Sequence, residues 1–381
     1  MSDTEGVSDT PIPYVNLRAQ GQEQLEELST LFADVVLRGA FVGGDAIERF
    51  EGRVAERCGT AHAVALNSGT DALILALKVT GIGPGDEVIT PPNSFIASAS
   101  CIVHVGARPV FADVLPDQNI DPDAVARAIT PRTRAIMPVH LTGRVCRMEA
   151  LLELAAANDL LLIEDAAQSI GSTYGGRPSG SFGTFGCFSA HPLKNLSALG
   201  DAGYVTTDDA DGADRLRRLR NHGMADRTTV DEWGYVSRMD TLQAAVLDWR
   251  LGHLDKIITR RRRIAARYQQ RFAGTQILAP PCRDQEFNTF HTFVVQVDGR
   301  DELKKHLQER GIKTTIHYPV PIHLQPAARD LGYRTGDFPE TERQAARILT
   351  LPVNEYMTND DVERVADDVL AFYSSDGGVR G

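Results

Sequence analysis

The sequence predicts an α/β protein: a large domain built on a mainly parallel sheet with helices on both faces, in three layers, followed by a small C-terminal α+β domain. Two observations carry this. Between residues 61 and 163, short apolar runs alternate with helix-length segments, the pattern of parallel strands joined by helical crossovers. After a long helical region ending near Phe272, that rhythm gives way to a short mix of strands and helices. The large domain is placed at 1–250, including the N-terminal segment, and the linking helix and small domain at 251–381.

Residues 1–11 read as a loose tail. Apolar spacing predicts a helix over 20–37 that stops at Arg38-Gly39, a glycine-rich turn at Phe41-Val42-Gly43-Gly44, and a second helix over 46–57 stopped by Gly59. The run 61–66 is a strand that passes through Asn67-Ser68-Gly69-Thr70-Asp71 into an apolar helix ending at Val79. Gly81 to Asp86 is a turn, 87–90 a strand, 93–105 a helix and 109–114 a strand. Asp121-Pro122 opens a helix over 121–129, since Asp can cap the free amides and Pro suits the first helical position. Strand 135–139, helix 147–158 and strand 160–163 follow. A glycine-rich stretch (Gly171, Gly175, Gly176, Gly180, Gly183, Gly186) leads into strand 184–188, and a further strand covers 204–207. A basic helix over 211–220 precedes a non-periodic aromatic segment, 233–240. The helical region 242–272 is interrupted near Leu254. Strand 292–297, helix 301–310, strand 312–316 and helices over 340–349 and 359–373 complete the small domain.

Composition narrows the function. The chain of 381 residues carries a net charge of −11 without an acidic tail and is 42% hydrophobic, which argues against general nucleic-acid or anionic-membrane binding. Arg260-Arg261-Arg262-Arg263 lies inside a helical pattern and reads as a solvated or interface face. The five cysteines are scattered without a C-x-x-C pair, so neither a disulfide framework nor a thiolate metal site is expected. With no apolar signal core and no membrane-length apolar run, the expected location is the cytoplasm.

The chemistry concentrates after strands. Ser68-Gly69-Thr70 offers a tight turn, hydroxyls and the free amides of a helix start, which suit a phosphate; ordinary helix capping explains the same residues. Neither a P-loop nor a dinucleotide fingerprint is present. Glu164-Asp165 ends one strand, and Ser189-Ala190-His191-Pro192-Leu193-Lys194-Asn195 follows another. Ligands of such sheets bind beyond the carboxyl ends of the strands, so these segments can share one crevice. An aldehyde cofactor needs a primary amine to hold it, phosphate donors, and an acid facing its pyridine nitrogen. Pyridoxal 5′-phosphate makes those demands. Lys194 can be the amine and proton shuttle, Asp165 the partner of the ring nitrogen. Gly69, Thr70 and Ser189 can hold phosphate, and Phe95 can cover a ring face.

The sequence resembles the DegT/DnrJ/EryC1/StrS family of fold-type I aminotransferases, most of which aminate keto sugars. The likeness runs from Gly39-Ala40-Phe41-Val42-Gly43 through Asn67-Ser68-Gly69-Thr70-Asp71-Ala72-Leu73, Gly83 to Ile89 and Gly106 to Phe111. Its most specific parts are Glu164-Asp165-Ala166-Ala167-Gln168-Ser169, Phe188 to Asn195 and Ser237-Arg238-Met239-Asp240-Thr241. The resemblance implies Lys194 and Asp165 as catalytic residues. It implies a cofactor site of Ser68, Gly69, Thr70, Phe95, Asp165, Gln168, Ser189 and Lys194. It also implies a homodimer with the active site between subunits. Substrate-site candidates are Phe41, His191, Arg220, His317, Tyr318 and His323. Relatives with histidine in place of the lysine catalyse dehydration; Lys194 places this chain with the transaminating members. Where the family commonly has Gly-Tyr-Asn, with the Asn reaching the partner's phosphate, this chain has Gly234-Tyr235-Val236, and Val cannot donate that bond. Ser237 is the neighbouring candidate. The expected reaction is amino transfer from glutamate to a nucleotide-linked keto sugar. A sugar dehydratase using the same cofactor and a non-catalytic regulatory homologue are the alternatives.

Overall fold

Strand β1 (His62–Leu66) shows in five residues why the large domain has three layers. Ala63 and Ala65 enter a core shared with helices Asp45–Cys58 and Thr241–Leu251. Val64 and Leu66 enter a second core with helices Gly69–Val79 and Ala210–Leu219. A strand buried on both faces needs cover on both, as the period of two dictates. The computed structural model describes residues 10–374. Of the tail expected over 1–11, residues 1–9 lie outside the described residues.

The remaining strands are β2 (Glu87–Thr90), β3 (Arg108–Phe111), β4 (Thr133–Ile136), β5 (Leu161–Asp165), β6 (Thr173–Tyr174), β7 (Arg177–Pro178), β8 (Phe185–Ser189), β9 (Gly203–Thr207), β10 (Glu286–Phe287), β11 (Phe293–Gln296) and β12 (Ile348–Leu351). Seven form the main sheet in the order β1-β9-β8-β5-β4-β2-β3. Its pairs are parallel except at β9, which runs antiparallel to both β1 and β8. One antiparallel strand between two others leaves β1 and β8 pointing the same way as β5. The carboxyl ends of β1, β5 and β8 therefore open on one edge, and there stand Ser68, Asp165 and the loop carrying Lys194. Beneath that edge Phe188 and Tyr204 stack at 4.8 Å, with Phe50 edge-on to Tyr204 at 5.5 Å. Burying each ring contributes roughly 1.5–3 kcal/mol.

The small domain packs around a two-stranded sheet of β11 and β12. Helices Leu254–Phe272, Arg300–Glu309 and Asn359–Ser374 supply Tyr268, Leu303, Leu307, Val365 and Val369 to its core. Ile12 joins the same core, paired with Ile312. The first described residues thus pack with the C-terminal cluster, although the expected division groups them with the large sheet.

Other differences have local causes. The helix expected over 93–105 begins only at Ala97, because Pro92 to Ser94 forms a turn. The helix expected over 340–349 ends at Arg347. Ile348 to Leu351 is a fully buried strand, a short apolar run whose type periodicity alone does not settle. Residues 312–316 make only single bridges, at Ile312 and Thr315. The hairpin β6–β7 turns through Gly175 and Gly176, at φ 58° and 78°, values that favour glycine at both corners. The interruption expected near Leu254 falls at Gly252-His253. The arginine run is not a solvated face. Arg260 reaches Asn359 and the Met357 carbonyl, Arg261 reaches Glu355 at 3.1 Å, and Arg262 donates to the Asn288 carbonyl at 2.6 Å and covers the Phe287 ring. Only Arg263 of the four is exposed.

Candidate active site

Beyond the end of β8, the chain turns through Ala190 to Leu193 and presents Lys194. The turn is held by Lys194 N–H donating to the His191 carbonyl at 2.8 Å, and by Ala190 bonding to Ala202 and Ala198. Lys194 enters a cavity of about 450 Å³ that also takes in Asp165, Ser68, Gly69, Thr70 and Ser189. Enclosure costs the ammonium its hydration and pushes its pKa down to about 8, against the opposing pull of the Asp165 charge. At pH 7 about a tenth of such amines are neutral, against roughly one in three thousand for an unperturbed lysine.

Asp165 is the last residue of β5 and is buried. Ser98 Oγ donates to its Oδ2 at 2.7 Å, and the Ala167 amide to its Oδ1 at 3.2 Å. Burial pushes this carboxyl up; the Ser98 and Ala167 hydrogen bonds, then the Lys194 charge, oppose it. Next to it, Glu164 is fully buried and saturated by the amides of Gly180, Phe182 and Gly183 and by His140 at 2.9 Å. It pins the glycine-rich loop under the site.

The third strand end supplies an anion cradle. Ser68 caps helix Gly69–Val79, its hydroxyl accepting from the Asp71 amide at 3.0 Å, while Ala72 N–H bonds to the Ser68 carbonyl. The Gly69 and Thr70 amides have no acceptor one turn back, as at every helix start. A Cβ on residue 69 would lie 2.6 Å from Ser189 Cβ, so glycine is what lets the helix start sit against the end of β8. Capping and phosphate holding are therefore compatible: the side chain of Ser68 caps, and the next two amides stay free.

The opposite wall comes from the small domain and the N-terminal segment: Tyr14, Arg261, His291, His317 and Tyr318. Burial, aided by the Lys194 charge, pushes His317 down to about 4 and His291 well below its ordinary value, so both rings are neutral at pH 7. His317 Nδ1 lies 3.0 Å from Thr350 Oγ1. Arg261 is charge-matched by Glu355 and donates to the His291 carbonyl at 3.1 Å. Tyr14 is fixed through its neighbours: Ile12 exchanges backbone bonds with Gly311 and Lys313, and Asn354 Nδ2 donates to the Pro13 and Tyr14 carbonyls. Its ring lies 5.8 Å from that of His317. Phe95, 55% exposed, stands 5.8 Å from Tyr318 at the mouth.

The model of the DegT/DnrJ/EryC1/StrS aminotransferase family matches residues 22–370. The chain belongs to this family. It is a pyridoxal-phosphate-dependent aminotransferase. A dTDP-3-amino-3,4,6-trideoxy-alpha-D-glucose transaminase from Streptomyces venezuelae is 42% identical over 365 residues, covering 95% of this chain and 96% of that protein. The structure of S. venezuelae DesV in complex with a ketimine intermediate superposes with a TM-score of 0.93 at 42% identity, over 95% of this chain and 98% of that one. NtdA from Bacillus subtilis with bound cofactor PMP gives a TM-score of 0.89 at 29% identity, over 98% of this chain and 87% of that one.

The aminotransferase's own residues fit the cofactor. An amine that is neutral in part at pH 7, a buried carboxylate with two fixed donors, and two free helix amides beside Ser189 match an aldehyde, a pyridine nitrogen and a phosphate. Gln168 lines the same cavity with its Oε1 accepting from the Thr142 amide at 2.7 Å. His191, His317 and Tyr318 line it as well. Four expected residues do not. Arg220 is committed to Glu51 at 2.6 Å and the Ala65 carbonyl at 2.7 Å. His323 is buried against Glu342 and Phe338 in a cluster of the small domain. Phe41 is 57% exposed outside the cavity. Ser237 is buried and donates to Asn67 at 3.1 Å, bracing the turn before Ser68. Tyr14, Arg261 and His291 line the cavity but were not among the expected residues. The apolar Ile12-Pro13-Tyr14-Val15 in a polar N-terminus is a signal that could have flagged the first; the other two carry none. Among the described residues no group of three His, Cys, Asp or Glu is placed to hold a metal ion, and no helix is long and apolar enough to cross a membrane.

Proposed function

We propose that this aminotransferase moves an amino group from glutamate to the carbonyl carbon of a keto sugar carried on a nucleotide. The observation that supports it is one cavity shared by Lys194, Asp165 and the free amides at Gly69 and Thr70. Bound pyridoxal phosphate supplies an electron sink for moving the amino group. Lys194 holds the cofactor by its amine and then, released, carries the proton to and from the substrate carbon. Asp165 keeps a positive charge on the ring nitrogen. Gly69, Thr70 and Ser189 hold the phosphate, and Phe95 and Gln168 flank the ring. On the wall of Tyr14, Arg261, His291, His317 and Tyr318 the one charge, Arg261, is matched by Glu355, and the other four side chains are uncharged groups that both donate and accept, which suits hydroxyl groups. The sugar reading follows from that wall and from the dTDP-linked sugar in the name of the S. venezuelae relative.

The test is direct. The enzyme charged with the amine form of the cofactor is mixed with 3-keto and 4-keto sugars in free, phosphorylated and nucleotide-linked forms, and products are weighed by mass spectrometry. A ketone replaced by an amine is expected for a nucleotide-linked sugar, with glutamate best among amino acids at recharging the cofactor. Loss of oxygen without gain of nitrogen would make the enzyme a dehydratase. Conversion of simple 2-keto acids alone would remove the sugar from the reading.

We further propose a homodimer formed over the aromatic segment before Asp240. Trp233 is 95% exposed, Val236 55%, Phe41 57% and Val42 53%; Trp233 and Val236 lie in one segment, and Val42 bridges to Asp240 at its end. Exposed apolar groups in one region mark a contact surface. Sedimentation should give twice the 41.6 kDa chain mass, and Trp233→Glu should lower it toward that of one chain. A fully active monomer would rule the dimer out.

A further inference from the structure

Ser98 belongs to none of the segments on which the catalytic reading was built. It sits in the first turn of helix Ala97–His104, 1% exposed, at the floor of the cavity. A serine inside a helix commonly returns its hydrogen bond to a carbonyl of the preceding turn. Here the hydroxyl crosses to the end of β5 and donates to Asp165 Oδ2 at 2.7 Å. We infer that Ser98 is a positioning residue for the cofactor ring, holding Asp165 ionised and in one orientation toward the ring nitrogen. The inference rests on the proposed role of Asp165.

The reason lies in what else surrounds that carboxylate. Burial alone favours its neutral form, and a neutral acid cannot balance a cationic ring. Lys194 is no standing counter-charge, because its amine must be neutral to hold the cofactor. His140 is committed elsewhere: its Nδ1 accepts from the Cys146 amide at 3.2 Å, so Nε2 carries the proton and donates to Glu164. Glu164 is itself an anion saturated by three amides. Cys101 and Cys187 are buried thiols, and Tyr318 a largely enclosed phenol, all held protonated mainly by burial. The fixed donors to Asp165 are thus the Ala167 amide, which no side-chain change can remove, and the Ser98 hydroxyl, which one can.

The experiment loads wild-type enzyme and the variants Ser98→Ala, Ser98→Thr, Ser98→Val and Asp165→Asn with cofactor carrying ¹⁵N at the ring, and records the ring-nitrogen chemical shift against pH. Wild type and Ser98→Thr are expected to show a protonated ring through neutral pH. In Ser98→Ala and Ser98→Val the proton moves toward Asp165, and the shift moves toward the unprotonated value. Turnover in both should fall about tenfold at unchanged KM, as for one hydrogen bond to a charged group. Thr and Val share a shape and differ by the hydroxyl, so this pair decides the matter even if the alanine variant loses its cofactor. Equal shifts in the Thr and Val variants, with a displaced shift in Asp165→Asn, overturn the role of Ser98 alone. An undisplaced shift in Asp165→Asn overturns the reading of Asp165 on which it rests.

Discussion

Lys194→Ala should leave a folded protein that still gathers cofactor through its phosphate cradle but transaminates roughly 10²–10⁴-fold more slowly, the range for loss of a positioned proton carrier. The amine has two tasks, holding the aldehyde and moving a proton, and among the described residues no other lysine lines the cavity. Borohydride reduction of the loaded wild-type enzyme should fix cofactor on the protein, and peptide mapping should place it on Lys194. An adduct on a different lysine would sink the assignment. The pH at which the apoprotein captures cofactor is a second reading of the same site. The neutral amine is the nucleophile, and its fraction rises with pH through a midpoint of about 8 rather than the ordinary 10.5. Capture should therefore be well under way at pH 8. A midpoint near 10 would mean that the amine is not enclosed as described.

Asp165→Asn is expected to bind cofactor and to lose most turnover. The amide has nearly the shape of the carboxylate and can keep a hydrogen bond from Ser98. What it lacks is the charge that holds a proton on the ring nitrogen, so the ring withdraws electrons less strongly. A hydrogen bond to a charged group contributes roughly 1.5–3 kcal/mol, which is about a ten- to hundredfold effect on rate or somewhat more. Steady-state kinetics on folded, fully loaded protein measures it. Turnover close to wild type would refute the role.

Much of this site could be read from the chain because its large-domain half is built from strand ends. Ser68, Asp165 and Ser189 each follow an apolar run, and a parallel sheet sends such ends to one edge. Nothing comparable marks the other wall. Arg261 looks like its three arginine neighbours in sequence, yet it is buried and paired with Glu355 because the helix face turns inward there. His291 lies just before β11 and enters the site through tertiary packing alone. Arg220 and His323 failed to reach the cavity for the converse reason: each found a carboxylate closer by, Glu51 and Glu342, which only the folded arrangement supplies. Strand β12 was hidden because Ile348, Leu349 and Leu351, coming straight after a helix, continue its pattern as well as they begin a strand.

The wall that joins Tyr14, through His317, to Thr350 also constrains how the protein can be made. The hydrogen bond from Asn354 to the Tyr14 carbonyl closes a separation of 340 positions in the chain. A nascent polypeptide emerging from the ribosome has the amine, the acid and the phosphate cradle long before β12 exists. The segment around Tyr14 must wait for the one around Asn354 to appear. Closing so long a loop adds little entropy cost over closing one half its length, about 0.6 kcal/mol per doubling, so the delay is one of order rather than of energy. The half that binds the cofactor can be complete while the part of the facing wall that Tyr14 packs against is still untranslated.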